Sequence, residues 1–308
     1  MATRPVYFDC DTGIDDALAL VYLMASPEIS LAGIGTVSGN IDAAQAAVNT
    51  LDLLAMGGRD DVAVAVGAMN PLARPFTGGV PHIHGRNGVG NVELPHTEKQ
   101  PENESAADML VRLAHEHEGE LVVIAIGPLT NLAQLLRDHP DLPRVVRRVV
   151  CMGGAIRHGN VGVLSEFNVA VDPVAAREVV DSDLDVTFVP LEVADKALVM
   201  PDGMARIAAG SRMGAVLAEM FDVYVSRPEV SVGKEMYDPT AVGYVIAPEM
   251  YHVVDCFLEV DAAACCSAGG TYFDLDGLRG HAPNVHVATS IDADAFRVWF
   301  EGSLALCP

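Results

Sequence analysis

The chain has 308 residues, 50% of them hydrophobic, and a formal net charge of −23 from 42 acidic and 19 basic residues. A chain of this length can bury a substantial core. So large an acidic excess excludes a polyanionic partner, because nucleic-acid binding rests on clustered Lys and Arg, while leaving room for a nucleic-acid component that carries no phosphate. For most of the surplus carboxylates a solvated face is the plainer reading. No signal peptide precedes the first strand-like run and no apolar stretch is long enough to span a bilayer, so a cytoplasmic protein without membrane association is expected. The cysteines Cys10, Cys151, Cys256, Cys265, Cys266 and Cys307 lack metal-ligand spacing. Cys10 and Cys151 each close a strand-like run, where a buried reduced thiol is common.

In chain order, strand-like runs fall at residues 6–8, 31–37, 62–66, 121–126, 145–152, 186–189 and 251–260, with helix-like segments at 15–25, 41–56, 105–117, 129–137 and 173–180. Strands alternating with helices predict an α/β fold: one domain over residues 1–308, built on a mainly parallel, doubly wound, Rossmann-like sheet with helices on both faces. In such sheets ligands bind outside the carboxyl ends of the strands. Those ends carry "DCD" at 9–11, "TVSGN" closing on Asn40, "AIGPLTN" at 125–131, and "MGGAIRHGN" at 152–160 leading into "SEFNVAVDP" at 165–173. None matches a phosphate-cradling glycine motif. Residues 67–104 form a long Gly- and Pro-containing connection with "HIHGRNG", either a binding loop or a disordered one. A C-terminal helix carries "DAFRVWF", in which Trp299 is read as core.

Four carboxylates, Asp9, Asp11, Asp15 and Asp16, crowd into the end of the first strand and the start of the following helix. Such a cluster must be solvated, protonated or neutralised by a cation. Oxygen ligands without nearby Cys or paired His suit Ca²⁺ or Mg²⁺ rather than Zn²⁺. The competing local reading is helix capping, since anions in a first turn are favoured by the helix dipole.

"DCDTGIDDA" resembles the N-terminal fingerprint D-x-D-x-G-x-D-D-A of the inosine-uridine-preferring nucleoside hydrolases, with Thr12 where many members have Pro. The resemblance continues in order through "TVSGN", "HIHGRNGVG", "IGPLTNLA", "MGGAIRHGNV", "EFNVAVDP" and "YDPTAVGYV". It implies calcium-dependent hydrolysis of the N-glycosidic bond of ribonucleosides to free base and ribose, in a salvage role, by a homodimer or homotetramer. Carried over residue by residue, Asp11 is the general base and a metal neighbour. Asp16, Asp238 and the carbonyl of Ile126 complete the metal site. Asp15, Asn40, Asn160, Glu166 and Asn168 hold the ribose hydroxyls, with Met152 beside the sugar. His84 matches a family histidine of the base-binding region; other branches stack the base between tryptophans that this chain lacks, and His84, Phe167 and Tyr224 are the candidates for base contacts in their place. Taken alone, Asn40, Asn160 and Asn168 read as turn residues, and Glu166 has no local reason to be functional.

One position departs from the family pattern: Tyr237 stands where several members place the histidine that protonates the leaving base. Tyrosine is a weaker acid at neutral pH, though it can still donate a hydrogen bond. The sequence leaves purine and pyrimidine preference open. Two rival readings remain. "FDCDTG" also resembles the D-x-D-x-[TV] signature of haloacid dehalogenase-type phosphatases, with Asp9 as nucleophile, but none of Lys99, Lys196 and Lys234 is placed as that chemistry needs. A calcium-containing nucleoside- or ribose-binding protein with impaired catalysis is the other, favoured by Tyr237 alone. A site of acids and amides lacking Lys and Arg is expected, which suits a neutral sugar.

Overall fold

The computed structural model describes residues 3–225 and 233–307. Its strands are β1 (Arg4–Cys10), β2 (Ile29–Thr36), β3 (Val64–Val66), β4 (Val122–Ala125), β5 (Arg148–Met152), β6 (Val186–Val189), β7 (Leu198–Val199), β8 (Lys234–Glu235), β9 (Tyr251–Val260), β10 (Thr271–Asp274) and β11 (Val285–Ile291). Nine of them form one sheet in the order β10-β9-β11-β6-β5-β4-β1-β2-β3, and β7 and β8 make a separate antiparallel pair. From β11 to β3 every neighbouring pair is parallel; β9 alone runs the other way, pairing antiparallel with both β11 and β10. The mixed α/β, mainly parallel sheet is therefore the architecture expected from the alternating pattern.

Period-2 alternation sends side chains to two cores. Val6, Phe8, Ile34, Ile124 and Val150 face one layer, packed by helices Ile14–Met24, Ala43–Met56 and Ala293–Leu306. Tyr7, Val123, Val149 and Phe188 face the other, packed by Ala106–Glu116, Thr130–Asp138 and Pro173–Val180. Burial on both faces explains why the central strands read as continuous apolar runs. Some of the acidic surplus is spent on helix N-termini: Asp42, Asp172 and Asp292, like Ser105, each accept the backbone N–H three residues on.

The structure corrects several boundaries. Residues Leu142–Val145 form a turn of helix, so β5 starts at Arg148 rather than at 145. Strand β11 was hidden because His286, Thr289 and Ser290 break its apolar character where one face is partly open. Trp299 lies on the outer side of helix Ala293–Leu306 with 42% exposure, and Phe296 and Phe300 fill the core in its place, packing against Tyr22. Residues 67–104 carry a single helical turn, Pro81–His84.

β1 sits between β2 and β4, so the chain moves outward through β2 and β3 and then returns to the other flank of β1. That reversal opens a crevice at the carboxyl ends of β1 and β4. Asn131 fixes it: its side-chain amide donates to both oxygens of Asp9 (2.9 and 3.2 Å) and to the Thr36 carbonyl, and its oxygen accepts from Ala68 N. Burial pushes Asp9 up to about 7, and the Asn131 hydrogen bonds work against that rise. Asn131→Leu strands a buried carboxyl and a buried N–H, and a loss of about 2–4 kcal/mol in urea unfolding is expected; an unchanged midpoint would contradict this role.

Candidate active site

The first turn of helix Ile14–Met24 presents Asp15 and Asp16 toward the crevice. Asp16 does cap the helix, accepting from Gly13 N at 2.8 Å and Asp11 N at 3.1 Å, and it also receives the Asn40 side-chain amide at 3.0 Å. Capping and ligation are not alternatives here, because one carboxylate is oriented by the backbone toward the cluster. One oxygen each of Asp15, Asp16 and Asp238 lies within 4.8 Å of the others, and all three residues are buried. Asp11 is fully buried beside Asp16, and Asn40 N donates to its Oδ2 at 2.6 Å. Among the described residues, Asp11 Oδ1 and Asp15 Oδ1 are buried acceptors without a hydrogen-bond partner.

The electrostatics follow. Burial first, then the charge of Asp15, push Asp16 up to about 6, against the Gly13 N–H that lowers it. Asp11 and Asp238 are driven well above the usual carboxylate range, by burial and then by Asp16 and Asp15 respectively. Two like charges about 4 Å apart repel by roughly 4 kcal/mol at an effective dielectric near 20. The cluster therefore needs protons or a cation. Converging carboxylates, two of them with orphaned oxygens, and no Cys among them form a donor set for a hard divalent ion.

Above this floor is a cavity of about 360 Å³, lined among others by Asp15, Asn40, His84, Ile126, Met152, Asn160, Glu166, Phe167, Asn168, Tyr224, Tyr237 and Asp238. Asp11 and Asp16 are buried and lie outside its lining. Glu166 has a local job after all, as the N-cap of helix Phe167–Val171: its carboxylate accepts from Asn168 N, Val169 N and Gly154 N. Burial still raises it to about 7 despite those donors. Asn168 is helical rather than a turn residue, and its amide donates to the Ile126 and Met152 carbonyls, tying together the ends of β4 and β5. His84 Nδ1 accepts from Ile14 N at 3.0 Å, which leaves the ring hydrogen on Nε2. Tyr224 donates to Asp15 Oδ2 at 3.1 Å, and its ring lies 5.6 Å from that of His84. Tyr237 opens helix Tyr237–Ile246, and burial, then Glu235, hold its hydroxyl above the usual tyrosine range.

Sequence reasoning missed three features. Lys234 lines the cavity, which corrects the expectation of a site without Lys or Arg. Its signal was faint: a lone lysine three residues before Tyr237. Gly39 and Gly127 flank Asp11, and a Cβ at Gly39 would meet Asp11 Oδ2 at 2.0 Å. Val80 and Ile83, from the 67–104 connection, join the cavity wall. The phosphatase reading fails on geometry, because Asp9 turns away from the cavity into the Asn131 network.

Acids and amides on the floor with aromatic rings on the wall suit a neutral polyol carrying a heterocycle. The sequence matches the inosine-uridine preferring nucleoside hydrolase family over residues 6–298, and the chain belongs to that family. It is 34% identical over 307 residues to the non-specific ribonucleoside hydrolase RihC of Salmonella agona, spanning 100% of this chain and 99% of the relative. A purine-preferring ribonucleoside hydrolase from Gardnerella vaginalis superposes with a TM-score of 0.92 at 30% identity, covering 98% of each chain. A plant nucleoside hydrolase, PpNRh1, superposes at 0.93 with 26% identity, over 98% of this chain and 99% of the other. The protein is a ribonucleoside hydrolase acting on N-glycosyl bonds, which removes the reading as a mere binder.

Two tests follow from this geometry. With pKa values raised in the fold, these carboxylates keep protons that the unfolded chain releases above about pH 4, so they lower stability as pH rises through about 6. A saturating divalent cation takes the place of those protons, and it should raise the melting temperature more at pH 8 than at pH 5; an equal or larger rise at pH 5 would contradict the cluster's role. Gly39→Ala should displace the Asp11 carboxylate and cut kcat by about tenfold or more with the fold retained. Unchanged kcat would show that the Asp11 position tolerates movement.

Proposed function

We propose that this enzyme is a calcium-dependent ribonucleoside hydrolase that releases free base and ribose for salvage, acting as one domain over residues 1–308 in a cytoplasmic homodimer or homotetramer. The observation that carries the calcium reading is the convergence of Asp15, Asp16 and Asp238 with the unpartnered oxygens of Asp11 and Asp15. Asp11, Asp16, Asp238 and the Ile126 carbonyl would hold the ion. Irregular oxygen donors, some from backbone and substrate, fit Ca²⁺ better than the strict octahedron Mg²⁺ demands. The bound ion supplies charge that acidifies water and orients the sugar hydroxyls.

This chain's residues do the rest. Asp11 takes a proton from the attacking water as it adds to C1′, a step a buried carboxylate with a raised pKa performs well once neighbouring charge is compensated. Its position is fixed by Asn40 N, so little reorientation is needed. Asp15, held by the Tyr224 hydroxyl, and Asn40, Asn160, Glu166 and Asn168 bind the ribose hydroxyls, while Met152 lies against the sugar. As the glycosidic bond breaks, the ring becomes cationic, and the surrounding carboxylates stabilise that charge more than they stabilise the neutral ground state. His84, Phe167 and Tyr224 frame the base.

Asp11→Asn preserves shape and hydrogen-bond capacity. It should retain the melting temperature and lose at least about 10²-fold in kcat for ribose release; a near-normal kcat would remove Asp11 as the base.

A further inference from the structure

Of the chain's three lysines, Lys99, Lys196 and Lys234, only Lys234 is buried, at 6% exposure. Lysine is rarely buried without a reason, because its ammonium loses hydration. Strand β8 carries it beside β7, with Lys234 opposite Val199, and turns its side chain into the cavity. There Nζ donates to Glu235 Oε2 at 2.9 Å and stands over two aromatic faces, 4.3 Å from the ring centroid of Tyr224 and 4.8 Å from that of Tyr237. Burial would raise the Glu235 carboxyl, but the charge and hydrogen bond of Lys234 win and hold it below its ordinary value. Lys234 and Glu235 thus form an ion pair whose nitrogen lines the cavity.

The cavity is polarised as a result. Carboxylates occupy its floor, and the ammonium sits on the wall that carries the aromatic rings, the face fit to stack a heterocycle. Cleavage of an N-riboside polarises the substrate the same way, positive on the sugar and negative on the departing base. We propose that Lys234 is the leaving-group acid of this enzyme, donating a hydrogen bond and then its proton to the base. The assignment rests on the hydrolase reading above, with ribose against the acidic floor. In the step, the C1′–N bond breaks with its electron pair passing to the base. An N–H bond of the ammonium breaks, its proton goes to a base nitrogen or oxygen, and the lysine is left neutral. The oxygen of water bonds to C1′ while its proton passes to Asp11. Solvent then reprotonates Lys234 and deprotonates Asp11, so that one water is consumed for each base and ribose formed. Glu235 aims the ammonium between turnovers, and the two rings fix its approach without competing for all of its protons.

The experiment compares leaving groups. Inosine and uridine need protonation of the departing base, whereas p-nitrophenyl β-D-ribofuranoside releases a stable anion that does not. Lys234→Met in the full-length enzyme should lose about 100-fold or more in kcat on inosine and uridine but less than about threefold on the nitrophenyl riboside. Retained nitrophenyl turnover also reports an intact fold and sugar site. Lys234→Gln, which keeps a polar partner for Glu235, should show the same split. Equal losses on both classes of substrate in both variants would make Lys234 a prop for the pocket wall and overturn the proposal, as would unchanged nucleoside turnover. A wild-type enzyme that cleaves none of the three substrates would overturn the hydrolase reading beneath it, an outcome that no behaviour of the lysine variants alone can produce.

Discussion

Mutual repulsion among buried carboxylates is the constraint around which the rest of this molecule is arranged. Three acidic oxygens within 4.8 Å of one another, with Asp11 packed behind them, carry a repulsion on the order of 10 kcal/mol if all are ionised, comparable with the whole stability of a domain. The fold tolerates this because it supplies donors where it can and leaves oxygens open where it cannot. Gly13 N, Asp11 N, Asn40 N and the Asn40 amide satisfy part of the cluster. The remaining oxygens of Asp11 and Asp15 stay without a partner among the described residues, beside a cluster that could hold a cation.

The sheet topology makes such a concentration possible. Reversal of strand order around β1 leaves a crevice that collects residues from the carboxyl ends of β1, β4 and β5 and from the first turn of helix Ile14–Met24. Each contributor is braced from behind: Asp9 by Asn131, Asn168 by the carbonyls of Ile126 and Met152, and Glu166 by three backbone N–H groups. Rigid support of this kind holds the carboxylates in a fixed geometry at the cavity, so that little reorganisation is needed when charge develops in front of them.

Much of this was legible in the chain. The apolar runs at 121–126 and 186–189 mark central strands because both faces of a parallel sheet are buried, and "DCDTGIDDA" marks the acidic floor because its spacing crosses from strand end to helix start. Strand β11 was harder to see, since an open face admits His286 and Ser290 and dilutes the pattern. Trp299 misled because size alone says nothing about which helix face a residue occupies. Lys234 was invisible for a different reason: its meaning comes from Tyr224, Tyr237 and Glu235 meeting around it, and neither the adjacent Glu235 nor Tyr237 three residues on reveals in sequence that they line a cavity. Asp9 was the reverse case, a carboxylate inside the motif whose partner, Asn131, is 122 residues away.

The most direct test of calcium at the acidic cluster is ribose release by the purified enzyme from inosine, adenosine, guanosine, uridine and cytidine, measured before and after exhaustive metal removal and again after calcium is restored. Turnover that disappears with the metal and returns with calcium is the expected result, and the panel would also name the preferred base. Undiminished turnover in demonstrably metal-free protein would contradict the account at its centre, because the carboxylates would then be performing the chemistry with protons alone as their neutralising charge.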